Sequence, residues 1–191
     1  MRLCVDLCCG LGGFSAAFMD DPNWEVLRID ISSRSSANII ADVRSLPLKD
    51  GLHPDVLFMS PPCERFSIAQ STWPRKGIRN ALDIVGACLE AVVTLGPQYW
   101  MLENPKGRLR WFTKSKPVAT VNLGDYGYRT IKPTDFWGNI PLGIVSSHRN
   151  DNDGLKFREG IRSPAKRAVL PYKFSYEVKM GVENELEKKR K

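Results

Sequence analysis

The sequence predicts an α/β fold built on a parallel sheet, and two observations support this. Short apolar runs of strand length alternate with longer segments of helical periodicity, which is typical of strands joined by crossover helices. The chain has 191 residues, 42% of them hydrophobic and 26% charged, which suits a soluble globular protein with a substantial core. We therefore expect one domain over residues 1–191.

The first half of the chain contains four predicted strands and one short helix. Each apolar run ends in a glycine cluster, an acidic residue or a turn. The helix is expected to begin at about Phe14, directly after the glycine cluster. The predicted strands are 3–8, 25–29 (ending at Asp30), 39–42 (ending at Asp42) and 55–59.

The second half of the chain is predicted to begin with a helix over 80–95, which stops at Gly96-Pro97. Three further strands are predicted at 99–102, 118–123 and 130–137. Apolar residues then recur every four positions near the end of the chain, which predicts an amphipathic C-terminal helix. These residues are Phe174, Val178, Val182 and Leu186.

The formal net charge of +7 favours a polyanionic partner such as nucleic acid. Part of that excess lies in the last four residues, 188–191, which are typical of a solvated helix end. Asp83 and Glu90 interrupt the longest apolar helical stretch, and the chain opens without a signal peptide, so no membrane association is expected. Five cysteines without paired spacing and two distant histidines predict reduced thiols, a cytoplasmic location and no metal site.

Residues 6–14 read as a strand, a glycine turn and a helix start, with the spacing Gly-x-Gly-Gly. Glycines allow a ligand to approach the backbone, and a helix N-terminus offers amide donors. Asp30 lies about 20 residues after the turn, where nucleotide-binding sheets place an acid for the ribose hydroxyls. Asp42 is a candidate acceptor for an adenine amino group. The alternative is a turn that packs a helix and binds no ligand.

Cys63 follows two prolines directly after the predicted fourth strand. The prolines stiffen the turn, so the thiol is held at the edge where an open α/β sheet presents its chemistry. Such a cysteine becomes a nucleophile if its pKa is depressed. The alternative is a small buried residue, which is the usual role of a free cysteine.

Three motifs in this order resemble the DNA cytosine-5 methyltransferase family. They are Asp6 to Phe14, then Pro61-Pro62-Cys63-x-x-Phe66-Ser67, and then Glu103-Asn104-Pro105. A weaker fourth match, Asp125 to Gly127, looks like the Asp-Tyr-Gly that precedes the family's Gln-x-Arg-x-Arg motif. The resemblance covers roughly residues 1–137. The alternatives for Cys63 and Glu103, a buried turn residue and a strand-end ion pair, are each plausible alone.

The resemblance implies a Rossmann-like S-adenosylmethionine-dependent methyltransferase fold, mostly parallel with an antiparallel last strand. It implies Cys63 as the nucleophile that adds to carbon 6 of cytosine, Glu103 as its acid partner and DNA as the substrate, with the base flipped out of the duplex. A role in supporting the base carbonyl falls to Arg129 or Lys132. The implied cofactor-binding residues are Cys8, Gly10, Leu11, Gly12, Gly13, Asp30, Asp42, Val43 and Pro62.

The sequence departs from the family's pattern at several positions. Cys8 replaces a phenylalanine of the cofactor turn, which reduces the surface offered to S-adenosylmethionine. Glu64 replaces a glutamine, and its charge is expected to raise the pKa of Cys63. Arg65 either offsets that charge or contacts the DNA backbone. The Gln-x-Arg-x-Arg motif is absent, and Arg129 and Lys132 are the cations available in its place.

No separate target-recognition domain is predicted, because only the loop 141–162 occupies its place. Sequence recognition is then weak, comes from a partner protein, or uses other elements. The segments 71–79 and 106–112 both mix cations with tryptophan, as nucleic-acid surfaces do, although a solvated basic loop is the alternative. Three functions stay open: a DNA enzyme, a weakly active cofactor-binding subunit that needs a partner chain, or the same chemistry on RNA.

Overall fold

The computed structural model describes residues 1–48, 51–68, 77–127, 131–141 and 168–190. Its elements alternate between strands and helices, as the sequence predicts. In chain order they are β1 (Arg2–Leu7), α1 (Ala16–Met19), β2 (Trp24–Asp30), β3 (Ile39–Ile40), β4 (Val56–Met59), α2 (Ile78–Leu95), β5 (Tyr99–Pro105), β6 (Ala119–Asn122), β7 (Pro133–Gly138) and α3 (Tyr172–Lys188).

The seven strands form one sheet in the order β3-β2-β1-β4-β5-β7-β6. The pairs from β3 through β5 are parallel, whereas β7 runs antiparallel to both β5 and β6. The predicted mostly parallel sheet with an antiparallel last strand is therefore confirmed. The strand order reverses between β1 and β4, and open α/β sheets bind ligands in the crevice outside the carboxyl ends of the strands at this point.

Several predicted strand boundaries differ from the structure, and at β3 and β5 the difference moves a candidate site residue. β3 ends at Ile40, so Asp42 lies outside the strand and caps a 3-10 turn over Val43–Ser45. β5 continues through Pro105, because antiparallel pairing with β7 extends it beyond its last contact with β4. Glu103 is therefore a strand residue, paired in register with Phe136.

The core lies in two layers, one on each face of the sheet. Aromatic residues dominate the face covered by α1 and α3, where Phe14 stacks on Phe58 with a ring-centroid distance of 4.1 Å. Aliphatic residues of α2 cover the other face. The four apolar residues predicted to face inward from the C-terminal helix are all buried, which confirms its orientation.

Helix α3 docks against the first turns of the chain. The Ser175 hydroxyl donates to the carbonyl of Phe14 at 2.6 Å and accepts from the amide of Ala17 at 3.0 Å. Lys179 pairs with Asp21 at 2.6 Å across the same interface. Among the described residues, no helix is long and apolar enough to cross a membrane.

Candidate active site

Residues 60–67, here called the Pro-Cys loop, leave the end of β4 and are held at several backbone points. The amide of Ser60 donates to the carbonyl of Leu7 at 3.0 Å, which fixes the start of the loop to β1. The amides of Phe66 and Ser67 both donate to the carbonyl of Cys63, at 2.9 and 3.0 Å. The Phe66 side chain is fully buried. The loop thus presents Cys63, which is partly exposed, on an anchored turn.

The end of β5 lies directly beside this loop. The side-chain amide of Asn104 donates to the carbonyl of Pro61 at 3.2 Å. Glu103 and Asn104 are both buried, and their Oε1 and Oδ1 atoms have no hydrogen-bond partner within the described part of the chain. A buried polar atom without a partner costs free energy, so both oxygens are suited to receive a bound ligand.

Glu103, Cys63 and Lys132 act on one another electrostatically. Burial raises the pKa of Glu103, and the positive charge of Lys132 opposes that rise. Burial also raises the pKa of the Cys63 thiol, and the charges of Glu103 and Glu64 raise it further, while Lys132 lowers it. The expectation that Glu64 raises this pKa is thus confirmed. Arg129 lies outside the described residues.

A crevice of about 80 Å³ lies beside the Pro-Cys loop, outside the ends of β1 and β2. Ile29 and Ile84 contribute apolar walls. Five of the predicted cofactor residues line it together: Cys8, Asp30, Asp42, Val43 and Pro62. An apolar slot with two carboxylates is the chemistry expected for an adenosine ligand.

Asp30 fits the predicted role beside a ribose. Its Oδ2 accepts from the amide of Gly10 at 2.8 Å, and its Oδ1 accepts from the amide of Ser32 at 2.8 Å. A carboxylate has about four acceptor positions, so two remain for hydroxyl groups. The bond from Gly10 also fixes this exposed residue of the turn against the end of β2.

Asp42 lines the crevice, but Arg44 occupies its carboxylate. The guanidinium of Arg44 reaches both oxygens, with the shortest contact at 2.5 Å, and holds the pKa of Asp42 at about 2. Arg44 also donates to Oδ1 of Asn80 at 2.9 Å, which ties the crevice to α2. An adenine amino group must share Asp42 with this arginine. Sequence reasoning missed Arg44, since a cation two residues after an aspartate has no distinctive spacing.

Two glycines of the turn serve packing. A methyl group on Gly12 would lie 2.6 Å from Cζ of Arg28, and one on Gly13 would lie 2.6 Å from the backbone nitrogen of Leu170. By contrast, a methyl group on Gly10 would meet nothing within 4 Å. The alternative that the turn only packs against its neighbours therefore describes Gly12 and Gly13. Gly10 has open space beside it for a ligand.

A buried polar network behind the turn was not anticipated from the sequence. Arg28 donates to the carbonyl of Gly12 at 2.9 Å and to the Ser15 hydroxyl at 2.8 Å, and that hydroxyl donates to Asp6 at 2.6 Å. Asp6 is fully buried, and burial raises its pKa to about 6. An arginine inside a strand pattern gave no sequence signal for this contact.

Comparisons with known proteins bear on the family and the fold of the chain. A model of the family described as C-5 cytosine-specific DNA methylase matches residues 3–131. No curated protein sequence matches the chain. Among solved structures, a prophage-encoded E. coli protein described as a DNA modification methyltransferase is similar, with 19% identity, 72% of this chain covered and a TM-score of 0.51.

The Entamoeba histolytica methyltransferase EhMeth is similar over 84% of this chain, with 13% identity and a TM-score of 0.52. At these identities the likeness concerns the fold. The match covers 46% of the E. coli protein and 58% of EhMeth, so the chain spans about half the length of these structures.

Proposed function

The chain belongs to the C-5 cytosine-specific DNA methylase family, and from this premise we propose that it transfers a methyl group from S-adenosylmethionine to carbon 5 of cytosine in DNA, through a covalent adduct with Cys63. One observation carries the proposal. The hydrogen bond from Asn104 to Pro61 holds the Pro-Cys loop against the strand end that bears the buried Glu103.

Carbon 5 of cytosine is a poor nucleophile until the ring is activated. In the proposed reaction the Cys63 thiolate adds to carbon 6. Glu103 donates its proton to ring nitrogen 3, where negative charge develops. The raised pKa of Glu103 favours the protonated carboxyl that this step requires. Its Oε1, which has no partner among the described residues, is the acceptor for the cytosine amino group.

Lys132 is proposed to stabilise the thiolate. Its charge lowers the pKa of Cys63, whereas burial, Glu103 and Glu64 raise it. Protonation of Glu103 removes one of the opposing charges, so binding of the base and formation of the thiolate are coupled. After methyl transfer, water takes the proton from carbon 5, Cys63 leaves carbon 6 as a thiolate, and Glu103 takes back the proton from ring nitrogen 3, which restores the ring.

The crevice beside the Pro-Cys loop is proposed to hold S-adenosylmethionine, which supplies an electrophilic methyl group when bound. Asp30 retains acceptor positions for the ribose, and Gly10 leaves open space for the ligand at the turn. Asp42 and Val43 would hold the adenine end, and Arg44 would then have to move or share the carboxylate. The residues of the crevice thus fit the adenosine portion of S-adenosylmethionine, and Arg44 is the residue that would change position.

Covalent trapping on DNA that contains 5-fluorocytosine tests the proposal, because fluorine at carbon 5 blocks release of the cysteine. We expect a denaturation-resistant protein–DNA species that Cys63→Ser abolishes. Cys4→Ala is the matched control, since this thiol is buried in the core beneath α1 and α3. Trapping that survives Cys63→Ser overturns the assignment of the nucleophile. Labelled methyl incorporation into duplex DNA, single-stranded DNA, RNA and free nucleotides identifies the substrate.

A second candidate function is a cofactor-binding subunit that is completed by a partner protein, which also supplies sequence recognition. The raised pKa of Cys63 and the pairing of Arg44 with Asp42 favour it, because both oppose activity in the isolated chain. Calorimetry that shows cofactor binding, without methyl transfer until a partner chain is added, would support this function. Robust turnover by the isolated chain would exclude it.

A further inference from the structure

Residues 106–118, here called the basic segment, carry positive charges that have no role in the proposed reaction. The segment contains five lysines and arginines, and no acidic residue occurs between positions 104 and 124. It follows β5 through a 3-10 turn over Arg108–Trp111 and ends where β6 begins. The structure places this cationic segment directly after Glu103 and Asn104.

The basic segment is a fixed structure, because Arg110 anchors it to the sheet. The Arg110 guanidinium forms a bidentate ion pair with the fully buried Asp135 and donates to the Thr120 hydroxyl at 2.7 Å. The indole nitrogen of Trp137 donates to the carbonyl of Ser115 at 3.1 Å, which holds the remainder of the loop. Arg110 therefore has a structural role within the segment.

The lysines of the segment are exposed to solvent, whereas Arg108 is half-buried and donates to the carbonyl of Ser67 at 3.4 Å. Lys106, Lys114 and Lys116 are exposed, and no carboxylate within the described ranges forms an ion pair with Lys114 or Lys116. These two lysines, with the hydroxyls of Thr113 and Ser115, line an open cleft of about 560 Å³. Hydroxyl groups beside lysines are the donors that phosphate oxygens accept.

One residue that lines the cleft, Thr120, is level with the end of β5. Thr120 pairs with Asp135, and Asp135 pairs with Asn104, whose side chain donates to the Pro-Cys loop. Two strand spacings separate Thr120 from Asn104, roughly 10 Å, which is about three base-pair steps along the axis of a DNA duplex. A strand whose base enters the Cys63 site has backbone within reach of the cleft.

The basic segment is also attached to the Pro-Cys loop. The amide of Arg108 donates to the carbonyl of Phe66 at 2.8 Å, and a methyl group on Gly107 would lie 2.4 Å from that oxygen. Trp111, with 68% of its surface exposed, stands beside this junction. An exposed indole beside cations is a stacking platform for a nucleic-acid base.

We propose that the basic segment binds the phosphate backbone of the target DNA strand beside the reacting cytosine, and that Trp111 stacks on a neighbouring base. This inference rests on the proposed function, which supplies DNA as the substrate. Lys114 and Lys116 contact the phosphates, and Arg110 keeps their loop in place. The segment thus orients the strand relative to Cys63 with elements of the catalytic domain itself.

The test is DNA binding by the full chain, measured by fluorescence anisotropy over a range of salt concentrations. We expect Lys114→Gln combined with Lys116→Gln to weaken binding roughly tenfold and to reduce the slope of log K against log salt by about 2. Trp111→Ala is expected to weaken single-stranded DNA binding at least about fivefold. Lys188→Gln combined with Arg190→Gln is the matched control, because it removes the same charge from the end of α3.

Binding of S-adenosylhomocysteine, measured by calorimetry, confirms that each variant retains its fold and crevice. An unchanged affinity and salt slope in the double lysine variant would overturn the inference, even where the wild type methylates DNA. Loss of DNA binding in that variant supports the inference, even where trapping by Cys63 fails. Duplex DNA, single-stranded DNA and RNA are compared, and tighter binding of RNA through these lysines overturns the assignment to DNA.

Discussion

The side-chain amide of Asn104 donates a hydrogen bond to the backbone carbonyl of Pro61, at 3.2 Å. The bond joins the end of β5 to the Pro-Cys loop, which follows the neighbouring strand β4. Pro61 and Pro62 have no N–H groups, so their carbonyl oxygens are the only backbone hydrogen-bonding groups that they offer. The position of Cys63 relative to Glu103 therefore depends on an asparagine that need not touch the substrate.

Asn104→Ala is expected to lower the rate of methyl transfer roughly tenfold or more, because misplacing the nucleophile is costly even over short distances. The free energy of unfolding should fall by about 1–2 kcal/mol. Asn139→Ala is the matched control, since Asn139 bridges the backbone of Trp100 and Gln98 at the opposite end of β5. Equal loss of activity in both variants would show that Asn104 acts only through stability.

Lys132→Met is expected to raise the pKa of Cys63 further, because it removes the charge that lowers it. Alkylation of Cys63 by iodoacetamide, followed by mass spectrometry as a function of pH, should be roughly threefold slower or more at pH 8. Lys106→Met serves as the control, because Lys106 is an exposed lysine directly after β5 and is not among the charges that shift the pKa of Cys63. An unchanged alkylation profile would remove Lys132 from the thiolate environment.

Much of the fold could be predicted from the sequence, because the period of its apolar residues matches the elements that form. The α3 residues Phe174, Val178, Val182 and Leu186 are buried as expected. The boundaries of β3 and β5 could not be predicted, since they depend on pairing between distant strands. The motif order located the strand ends that bear Cys63, Glu103 and Asp30. The contacts around the site could not be predicted: those of Lys132 and Arg28 join elements remote in sequence, and Arg44 pairs with Asp42 at a spacing that carries no distinctive signal.

Asp6 should make the stability of the protein depend on pH. Burial raises its pKa from 3.8 to about 6, so the folded state binds this proton more tightly than the unfolded chain does. This contribution is fully present below about pH 4 and is lost as the pH rises through about 6, which amounts to about 3 kcal/mol.

Urea unfolding between pH 4 and 8 measures this effect. Asp6→Asn should flatten the pH dependence relative to the wild type and retain an acceptor for the Ser15 hydroxyl. Glu25→Gln, a change at an exposed carboxylate of β2, should leave the dependence unaltered. A parallel shift of the Asp6→Asn curve at all pH values would contradict the raised pKa.

Arg44→Ala is expected to tighten binding of S-adenosylhomocysteine roughly threefold to tenfold, because it frees the Asp42 carboxylate for the adenine amino group. Asp42→Ala should weaken the same binding. Arg34→Ala removes an exposed arginine elsewhere and is the control for charge. Weaker binding in Arg44→Ala would mean that the arginine itself holds the ligand.

Gly13→Ala and Gly10→Ala form a matched pair within one turn. A methyl group on Gly13 meets the backbone of Leu170, whereas one on Gly10 meets nothing and costs only the left-handed conformation, about 1 kcal/mol. We expect hydrogen exchange to accelerate at the start of α3 in Gly13→Ala alone. Equal rates of hydrogen exchange in the two variants would show that residues 168–170 shift to accommodate the methyl group without destabilising α3.

The docking of α3 on the first turns of the chain has a consequence for biosynthesis. Leu170 and Ser175, which pack against the glycine turn, follow it by more than 150 residues in the chain. Phe14 and Gly13 therefore leave the exit tunnel before their packing partners are made. The turn reaches its final form only after α3 has been synthesised.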